Sequence, residues 1–256
     1  MHATAEDHQL ARDLASAVGE QLVALRAELV GRGTPTDELR DAGDRSAHEA
    51  LVRALGAHRP DDAVLSEEGD DRDLRRLDAR RVWIVDPLDG TREYGIDGRD
   101  DWAVHVALAI DGRPVCGAVA MPARGAVLST AEPPRLAPAG PRRRLVVSGS
   151  RPPDWAPALA EQLDAELTTL GSAGVKAMAV VVGEADVYAH DGGQYEWDNC
   201  APAAVVIAAG GAATRLDGSE LAYNRADPAI PDLLVCRPEL HRPALDALAA
   251  LGVTRS

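Results

Sequence analysis

The sequence contains few cysteines, a single lysine and no long apolar run, and these absences narrow the possible classes of protein. Its three cysteines, Cys116, Cys200 and Cys236, lie far apart in apolar contexts and without CxxC spacing. We therefore expect buried thiols and neither disulfides nor a zinc site. No stretch resembles a signal peptide or is apolar for long enough to span a bilayer, which predicts a cytoplasmic protein without a membrane partner.

Basic residues are outnumbered by acidic ones, and the formal net charge is −14. Binding to polymeric DNA or RNA requires clustered Lys and Arg, so we expect no such partner. A small phosphorylated substrate is compatible with this charge, because cations held by carboxylates would invert the local field. The 256 residues, 46% of them hydrophobic and 27% charged, are enough for one large domain or two lobes.

The first half of the chain is predicted to contain two helices followed by strands. Apolar residues at helical spacing predict one long helix from Ala5 to Val30, and the polar segment GTPTDELRDAGD leads to a second helix over 45–57. Apolar runs predict strands at AVLS before EEGDD and at 82–85, and a three-stranded meander over 102–130. His105 lies on this meander between apolar residues, so we expect a core or edge histidine there.

The segment AEPPRLAPAGPRRR is rich in proline and glycine and has no periodicity, so it is predicted to join two lobes, residues 1–144 and 145–256. In the second lobe, four segments are predicted to form strands: RLVVSGS, DVYAHD, AATRLDG and DLLVC. They alternate with helices that begin near Asp154, Ser172 and Asp198 and with a final helix. Strands and helices mixed in this way predict a layered α/β fold.

Acidic residues follow two of the predicted strands and begin one predicted helix. They are Glu67 and Glu68, Asp86 and Asp89 in WIVDPLDGTREY, and Asp198. Each alone fits an ordinary turn or helix cap. Strand ends in layered α/β proteins are where ligand sites collect, however, and carboxylates converging there would repel one another unless cations neutralised them. Ligands that are all oxygen favour Mg²⁺ or Mn²⁺.

Three stretches, SEEGDD, WIVDPLDGTREY and EWDNCAPAAVVIAAGG, resemble in order and spacing the motifs of the inositol monophosphatase-like superfamily of metal-dependent, lithium-sensitive phosphatases. The DPxDGT core is highly specific, and the resemblance covers nearly the whole chain. Other stretches, among them GRDDWAVH and GSAGVKAMAV, look closest to actinobacterial 3'-phosphoadenosine 5'-phosphate phosphatases of the CysQ type. The resemblance implies an α-β-α-β-α sandwich of the inositol monophosphatase/fructose-1,6-bisphosphatase type and a homodimer.

The resemblance also implies a set of metal ligands. Glu67, Asp86 and the backbone carbonyl of Leu88 would hold one Mg²⁺, and Asp86, Asp89 and Asp198 would hold a second. A third, weaker ion near Glu67 is compatible with this arrangement, and Mn²⁺ would substitute for Mg²⁺.

For the attack on phosphate, the resemblance pairs Asp44 with the hydroxyl of Thr91, and this pair would orient the attacking water. Asp41 is a rival to Asp44, because it stands where relatives often carry a threonine three residues before the aspartate. We prefer Asp44 because it directly precedes the predicted RSAHEAL helix. Backbone N–H groups around Gly90 and Thr91 would contact the phosphate oxygens.

Candidates for binding the substrate come from three segments of the chain. They are Gly90, Thr91 and Arg92 in the DPLDGTR motif, Ser148, Ser150 and Arg151 in VSGSRPP, and Ser172 and Lys176 in GSAGVKAM. As plain sequence the last two segments also fit a loop and a helix N-cap. Lys176 is the single lysine in a chain with 26 arginines. Either this position requires a compact ammonium group, or the residue is an ordinary exposed lysine.

The function implied is Mg²⁺-dependent removal of the 3'-phosphate of 3'-phosphoadenosine 5'-phosphate, or of its sulfated form, in sulfate assimilation. An inositol-1-phosphate or fructose-1,6-bisphosphate phosphatase is an alternative, since these enzymes share the metal core. A non-catalytic metal-binding regulator is an alternative of another class. A regulator would be expected to lack the water-orienting pair, whereas Asp44 and Thr91 are both present.

Overall fold

The computed structural model describes residues 2–70 and 74–253, and in them two five-stranded sheets alternate with three layers of helices. In the first sheet the strands follow chain order: β1 (Ala63–Ser66), β2 (Arg81–Asp89), β3 (Ala103–Ile110), β4 (Arg113–Met121) and β5 (Ala126–Ser129). The β1 and β2 strands are parallel, and the other neighbouring pairs are antiparallel. The predicted meander is therefore confirmed.

The second sheet is mixed and lies in the second half of the chain. Its strands are β6 (Arg143–Ser148), β7 (Ala165–Leu170), β8 (Val187–His190), β10 (Ala212–Thr214) and β12 (Leu233–Cys236), in the order β10-β12-β8-β6-β7. Between them, β9 (Gln194–Tyr195) and β11 (Ala229–Ile230) pair as a short ribbon.

The helices form the outer and middle layers of the fold. They are α1 (Ala5–Gly31), α2 (Thr36–His58), α3 (Thr91–Tyr94), α4 (Ala156–Gln162), α5 (Ala173–Val181), α6 (Glu196–Ala208) and α7 (Pro238–Ala250), with 3₁₀ turns at Arg75–Asp78 and Pro122–Arg124. The α1 and α2 helices cover one face of the first sheet, α4 and α7 cover the outer face of the second, and α5 and α6 are packed between the two sheets. The order of layers is α-β-α-β-α, as predicted.

The middle layer gives both halves of the chain a common apolar core. Buried side chains of the first sheet, such as Ile84, and of the second, such as Tyr188, belong to one cluster with Val180 of α5 and Val205 of α6. All three cysteines are buried and free, as expected. Within residues 2–70 and 74–253, no helix has the length and apolar character needed to cross a membrane.

The second helix begins nine residues before the predicted start. The predicted polar loop is wrong, because α2 runs from Thr36 and carries acidic residues in its first turn, where they stabilise the helix dipole. Its buried face includes Gly43, where a Cβ would lie 2.8 Å from the Tyr94 ring and 2.9 Å from Leu88. A glycine at a core-facing position weakens the apolar pattern, which explains why the first turns read as loop.

Other elements also depart from the prediction, and the ribbon of β9 and β11 was not predicted. The edge strand β7, AELTTL, was not predicted, because several of its side chains are exposed and it carries little apolar signal. The β2 strand continues through the predicted turn to Asp89, with an irregular register between Asp86 and Asp89. Residues 131–142 form no helix or strand, as expected of a connection, whereas the division into two lobes stays a prediction.

Candidate active site

Three carboxylates from two elements meet at one point of the structure. One oxygen each of Asp86, Asp89 and Asp198 lies within 4.8 Å of the others. Asp86 and Asp89 come from the end of β2, whereas Asp198 lies in the first turn of α6. The first sheet and the middle helical layer therefore build this cluster together.

The end of β2 is shaped so that both of its aspartates face the cluster. The register shift between Asp86 and Asp89 interrupts the alternation of side chains along the strand. The Leu88 N–H donates to Asp86 Oδ1 at 3.1 Å, which orients that carboxylate. Gly90 follows with a φ of 87°, a left-handed conformation that favours glycine and turns the chain into the four-residue helix α3.

Asp89 is held by the N-terminus of α5. Its Oδ2 accepts hydrogen bonds from the Ser172 hydroxyl and from the Gly174 N–H at 2.7 Å, and its Oδ1 accepts from the Ala173 N–H at 3.2 Å. His105 Nε2 lies 3.2 Å from Oδ2, an ion-pair distance without the alignment of a hydrogen bond. Burial alone would raise the pKa of Asp89, but His105 and Lys176 beside it lower that pKa to about 2.

The other acids of the cluster are pushed in the opposite direction. Burial and the neighbouring carboxylates raise the pKa of Asp86 well above its usual value. Burial and the charge of Asp89 raise the pKa of Asp198 to about 7, although the Tyr195 N–H donates to Asp198 Oδ2 at 2.6 Å. Glu67 directly follows β1 and is exposed, but desolvation of its carboxyl group and the charge of Asp198 raise its pKa to about 7.

These opposed pKa shifts show that the negative charge of the carboxylates exceeds the positive charge that His105 and Lys176 supply beside them. The donor set contains only oxygen atoms, two of the three carboxylates are buried, and the three oxygens converge within bonding reach of one ion. This arrangement fits a divalent cation that prefers oxygen ligands. Glu67 lies outside the group of three, but its charge adds to the effect of burial in raising the pKa of Asp86.

Thr91 and Asp44 meet beside the cluster. The Thr91 hydroxyl lies 3.1 Å from Asp44 Oδ1 and 2.9 Å from the Leu88 carbonyl oxygen. Its single proton can satisfy only one of these acceptors at a time, so the oxygen keeps lone pairs for a further donor. Burial and the charge of Glu68 raise the pKa of Asp44 to about 7.

The reason given for choosing Asp44 over Asp41 was wrong, although the pairing of Asp44 with Thr91 is present. Asp44 does not precede a helix but lies in the middle of α2, on the side that approaches α3. Asp41, its rival, is exposed, and its charge contributes to the raised pKa of Asp44.

The predicted substrate residues fall into two groups by accessibility. Ser150 and Arg151 are exposed after β6, where the Arg151 N–H donates to the buried Ser148 hydroxyl at 3.2 Å. Arg92 is exposed on α3, and Gly90 is half-buried. Ser172, in contrast, donates its hydroxyl to Asp89 and accepts the Val175 N–H at 3.0 Å, so it caps α5.

Lys176 is buried, with 2% of its surface exposed, so the simple expectation of an exposed lysine was wrong. Its ammonium donates to the carbonyl oxygens of Gly171 and, at 2.8 Å, of Ser172, and it lies 5.3 Å from the centre of the Tyr188 ring. Burial lowers its pKa to about 8, against the opposing effect of Asp89. A role for Lys176 in direct contact with substrate stays a prediction.

Three polar residues on this side of the site were not predicted. Both ring nitrogens of His190 and the Oε1 atom of Gln194 are buried and have no hydrogen-bond partner among the described residues, and Gln194 Nε2 donates to the Tyr188 hydroxyl at 2.6 Å. Burial and the charges of Lys176 and Arg151 lower the pKa of His190 to about 4. Strand alternation puts Tyr188 and His190 on one face of β8, but the short motif DVYAHD gives no sign that this face meets a site.

Two surface clefts, of about 890 and 670 Å³, lie away from these residues. Residues of α4, α7 and the connection at 139–143 line the first, and residues around Trp155 and Asp232 line the second. Neither cleft is lined by Asp86, Asp89, Asp198 or Thr91, so cleft size does not identify the site.

Comparisons with known proteins agree with this geometry. The model of the inositol monophosphatase family matches residues 3–250. The chain is 50% identical over 240 residues to the 3'-phosphoadenosine 5'-phosphate phosphatase of Mycobacterium bovis, covering 90% of this chain and 89% of that protein. It is 34% identical over 194 residues to the 3'(2'),5'-bisphosphate nucleotidase CysQ of Escherichia coli, covering 71% and 78%. The crystal structure of CysQ from Bacteroides thetaiotaomicron superimposes with a TM-score of 0.74 at 26% identity, over 91% of this chain and 97% of that one.

Proposed function

The chain belongs to the inositol monophosphatase family, and on that premise we propose that it is a Mg²⁺-dependent phosphatase that removes the 3'-phosphate of 3'-phosphoadenosine 5'-phosphate. The products are AMP and inorganic phosphate. The observation that carries the proposal is the convergence of Asp86, Asp89 and Asp198 beside the Thr91–Asp44 pair. The relative at 50% identity, which bears the name of this activity, supports the choice of substrate.

The carboxylates supply the metal ligands in this proposal. Asp86, Asp89 and Asp198 would hold one Mg²⁺, and Glu67 and the Leu88 carbonyl, together with Asp86, would hold a second. Bound cations of this kind polarise the phosphate ester and offset charge on the attacking and leaving oxygens. In Asp89, three polar neighbours approach Oδ2 and one approaches Oδ1, so Oδ1 is the oxygen with spare acceptor capacity.

Thr91 and Asp44 handle the proton of the attacking water. The Thr91 oxygen accepts a proton or a hydrogen bond from water while its own proton points to Asp44, whose carboxylate sits at the end of this short chain. The pKa of Asp44, raised to about 7, suits a group that takes up a proton near neutral pH. The Leu88 carbonyl oxygen, at 2.9 Å, is the other acceptor within reach of the hydroxyl proton.

The second phosphate of the substrate is placed near Arg151. The guanidinium is exposed, and its charge acts on both Tyr188 and His190, while the charges of Asp89 and Asp198 also act on Tyr188. The charge of Arg151 therefore acts on the same tyrosine as the carboxylates of the cluster. Among the described residues, His190 and Gln194 carry buried polar atoms without a hydrogen-bond partner, and leaving such atoms unpaired is costly.

Lys176 orders the backbone at the start of α5 and adds positive charge to this region. Its ammonium holds the carbonyl groups of Gly171 and Ser172 and so fixes the start of α5, and its positive charge favours anions nearby. The preference for 3'-phosphoadenosine 5'-phosphate over inositol-1-phosphate or fructose-1,6-bisphosphate rests on the positive charges of Arg151 and Lys176 and on the similarity to the mycobacterial protein. Lithium sensitivity, a third ion, a homodimer and a cytoplasmic location stay predictions.

The proposal is tested by phosphate release from 3'-phosphoadenosine 5'-phosphate, its sulfated form, inositol-1-phosphate and fructose-1,6-bisphosphate, each with Mg²⁺ and with EDTA. We expect the highest kcat/KM for 3'-phosphoadenosine 5'-phosphate and loss of all turnover in EDTA. Faster turnover of either sugar phosphate would show that the substrate assignment is wrong while the metal chemistry holds. No release from any substrate would favour the non-catalytic regulator.

A further inference from the structure

We infer that His105 is a positioning residue for the metal site: its imidazole joins the Asp89 carboxylate to the first turn of α6 and thereby fixes the separation of Asp89 and Asp198. The inference rests on the proposed metal role of these two aspartates. It adds a residue that lies outside the three acidic motifs and that the sequence pattern assigned to the core.

Each ring nitrogen of His105 faces one of the two elements that carry the carboxylates. Nδ1 lies 3.0 Å from the Trp197 carbonyl oxygen, and Nε2 lies 3.2 Å from Asp89 Oδ2. Because Trp197 directly precedes Asp198, one rigid ring spans from the end of β2 to the start of α6. The ring is fully buried, so neither contact is shared with solvent.

The backbone around the ring is built to admit it. His105 pairs with Asp86 across β2 and β3, which brings it to the end of the strand that carries the aspartates. On its other side is Gly174, where a Cβ would lie 2.0 Å from His105 Nε2. Glycine at this position leaves room for the imidazole and allows the Gly174 N–H to reach Asp89 Oδ2 at 2.7 Å.

The two carboxylate oxygens of Asp89 differ in how many protein groups contact them. Ser172, Gly174 and His105 all approach Oδ2, whereas Oδ1 has the Ala173 N–H at 3.2 Å. Oδ2 is thus occupied by the protein, and the carboxylate is held in one orientation with Oδ1 available to a cation. An apolar side chain of similar volume would fill the same space but would have no nitrogen for Asp89 or for the Trp197 carbonyl.

A positioning role and a purely structural role make different predictions for metal affinity. Groups that orient metal ligands typically change affinity or activity by about 10- to 100-fold when they are removed. We therefore expect His105→Ala to weaken Mn²⁺ binding to the substrate-free, metal-stripped protein by about that factor, measured by isothermal titration calorimetry. Val119→Ala is the matched control: Val119 is fully buried and pairs with His105 across β3 and β4, but it has no polar side-chain atom.

Two conservative variants separate the two contacts of the ring. His105→Gln puts an amide nitrogen near the position of Nε2 and can reach Asp89, whereas His105→Asn replaces Nδ1 and can reach only the Trp197 carbonyl. We expect Mn²⁺ affinity to be close to wild type in the Gln variant and weaker in the Asn variant. Melting temperatures in EDTA report the structural cost of each change separately.

The inference is overturned if His105→Ala lowers the melting temperature in EDTA as Val119→Ala does and binds Mn²⁺ like the wild type. If His105→Ala does not fold, equal Mn²⁺ affinity in the Gln and Asn variants overturns it instead. Absence of Mn²⁺ binding to the wild type would overturn the metal assignment itself and, with it, the role of His105. A bisphosphate that proves to be the wrong substrate leaves all three results unaffected.

Discussion

The Thr91 hydroxyl lies 3.1 Å from Asp44 Oδ1, although 47 residues separate the two in the sequence. The contact joins the middle of α2 to the first residue of α3, and Gly43, next to Asp44, lets α2 approach Tyr94 and Leu88 closely enough for it to form. The pair thus depends on helix packing as well as on the two side chains.

Replacing Thr91 by Ala should lower kcat by about 10² or more, the scale for a positioned proton acceptor, because the water loses the oxygen that orients it. Mn²⁺ affinity, measured by calorimetry, should change little. Thr91→Ser keeps the hydroxyl and should retain most of the activity. A parallel fall of metal affinity and kcat in Thr91→Ala would mean that Thr91 acts only by holding the Leu88 carbonyl.

Replacing Asp89 by Asn should reduce turnover by far more than tenfold, since it removes the charge of a metal ligand; a loss within tenfold, about 1.4 kcal/mol, would contradict the assignment. The structure adds a cost in stability. Asp89 accepts from Ser172, Ala173 and Gly174, and an amide has only one oxygen for these donors. We therefore expect a lower melting temperature in EDTA as well.

Ser172→Ala serves as the control for that change. It removes one donor to Asp89 and the N-cap of α5 but keeps the carboxylate charge. It should destabilise the protein by about 1 kcal/mol, the usual cost of a lost N-cap, while Mn²⁺ binding persists. If Ser172→Ala abolished Mn²⁺ binding as fully as Asp89→Asn, the effect of Asp89 would lie in the helix start and not in metal ligation.

The metal-free protein should become less stable as pH rises toward neutrality. The pKa values of Glu67 and Asp198 are raised to about 7 and that of Asp86 is raised well above its usual value, so the folded cluster holds protons that the unfolded chain releases near pH 4. Groups with raised folded pKa values stabilise fully below the unfolded pKa, and this contribution is lost as pH rises through the folded pKa. Melting temperatures in EDTA between pH 4.5 and 8 measure this effect.

Mg²⁺ should reverse that trend, because a cation replaces the protons and releases them. Calorimetric titrations at pH 6.5 in two buffers of different ionisation enthalpy would count the protons released. We expect a net release at pH 6.5 and less at pH 8.5. Binding without proton release at pH 6.5 would show that the ions do not occupy the Asp86 cluster.

The acidic cluster was predictable from sequence because its residues lie where the sequence pattern changes, at the end of an apolar strand and at a helix start. Asp86, Asp89 and Asp198 carry their position in short, specific motifs. A layered α/β fold was predictable in the same way, since strands and helices alternate through the second half, whereas the order of the layers came from the resemblance to the family.

His105, His190 and Gln194 could not be predicted in this way, because their environment is made by distant segments. His105 meets Gly174 and Trp197 only when α5 and α6 are packed on the first sheet, and His190 meets the charges of Arg151 and Lys176 only when their segments are packed beside β8. The early start of α2 was hidden because close packing at Gly43 requires a residue with low helix propensity. The local sequence pattern therefore predicts the acidic residues of the site, whereas the residues that surround them are known only from the tertiary packing.

Arg151→Ala should distinguish substrates with two phosphates from those with one. Its guanidinium is exposed near His190 and Tyr188, and a lost charged hydrogen bond to the second phosphate costs about 1.5 to 3 kcal/mol, or roughly 10- to 150-fold in kcat/KM for 3'-phosphoadenosine 5'-phosphate. Inositol-1-phosphate has no second phosphate, so its slower turnover should hardly change, because the carboxylates and Thr91 are untouched. Arg242→Ala, which removes an exposed arginine paired with Asp246 on α7, should affect neither substrate. Equal losses on both substrates would place Arg151 at the scissile phosphate or in the support of the fold, and the preference for a bisphosphate would then need another residue to explain it.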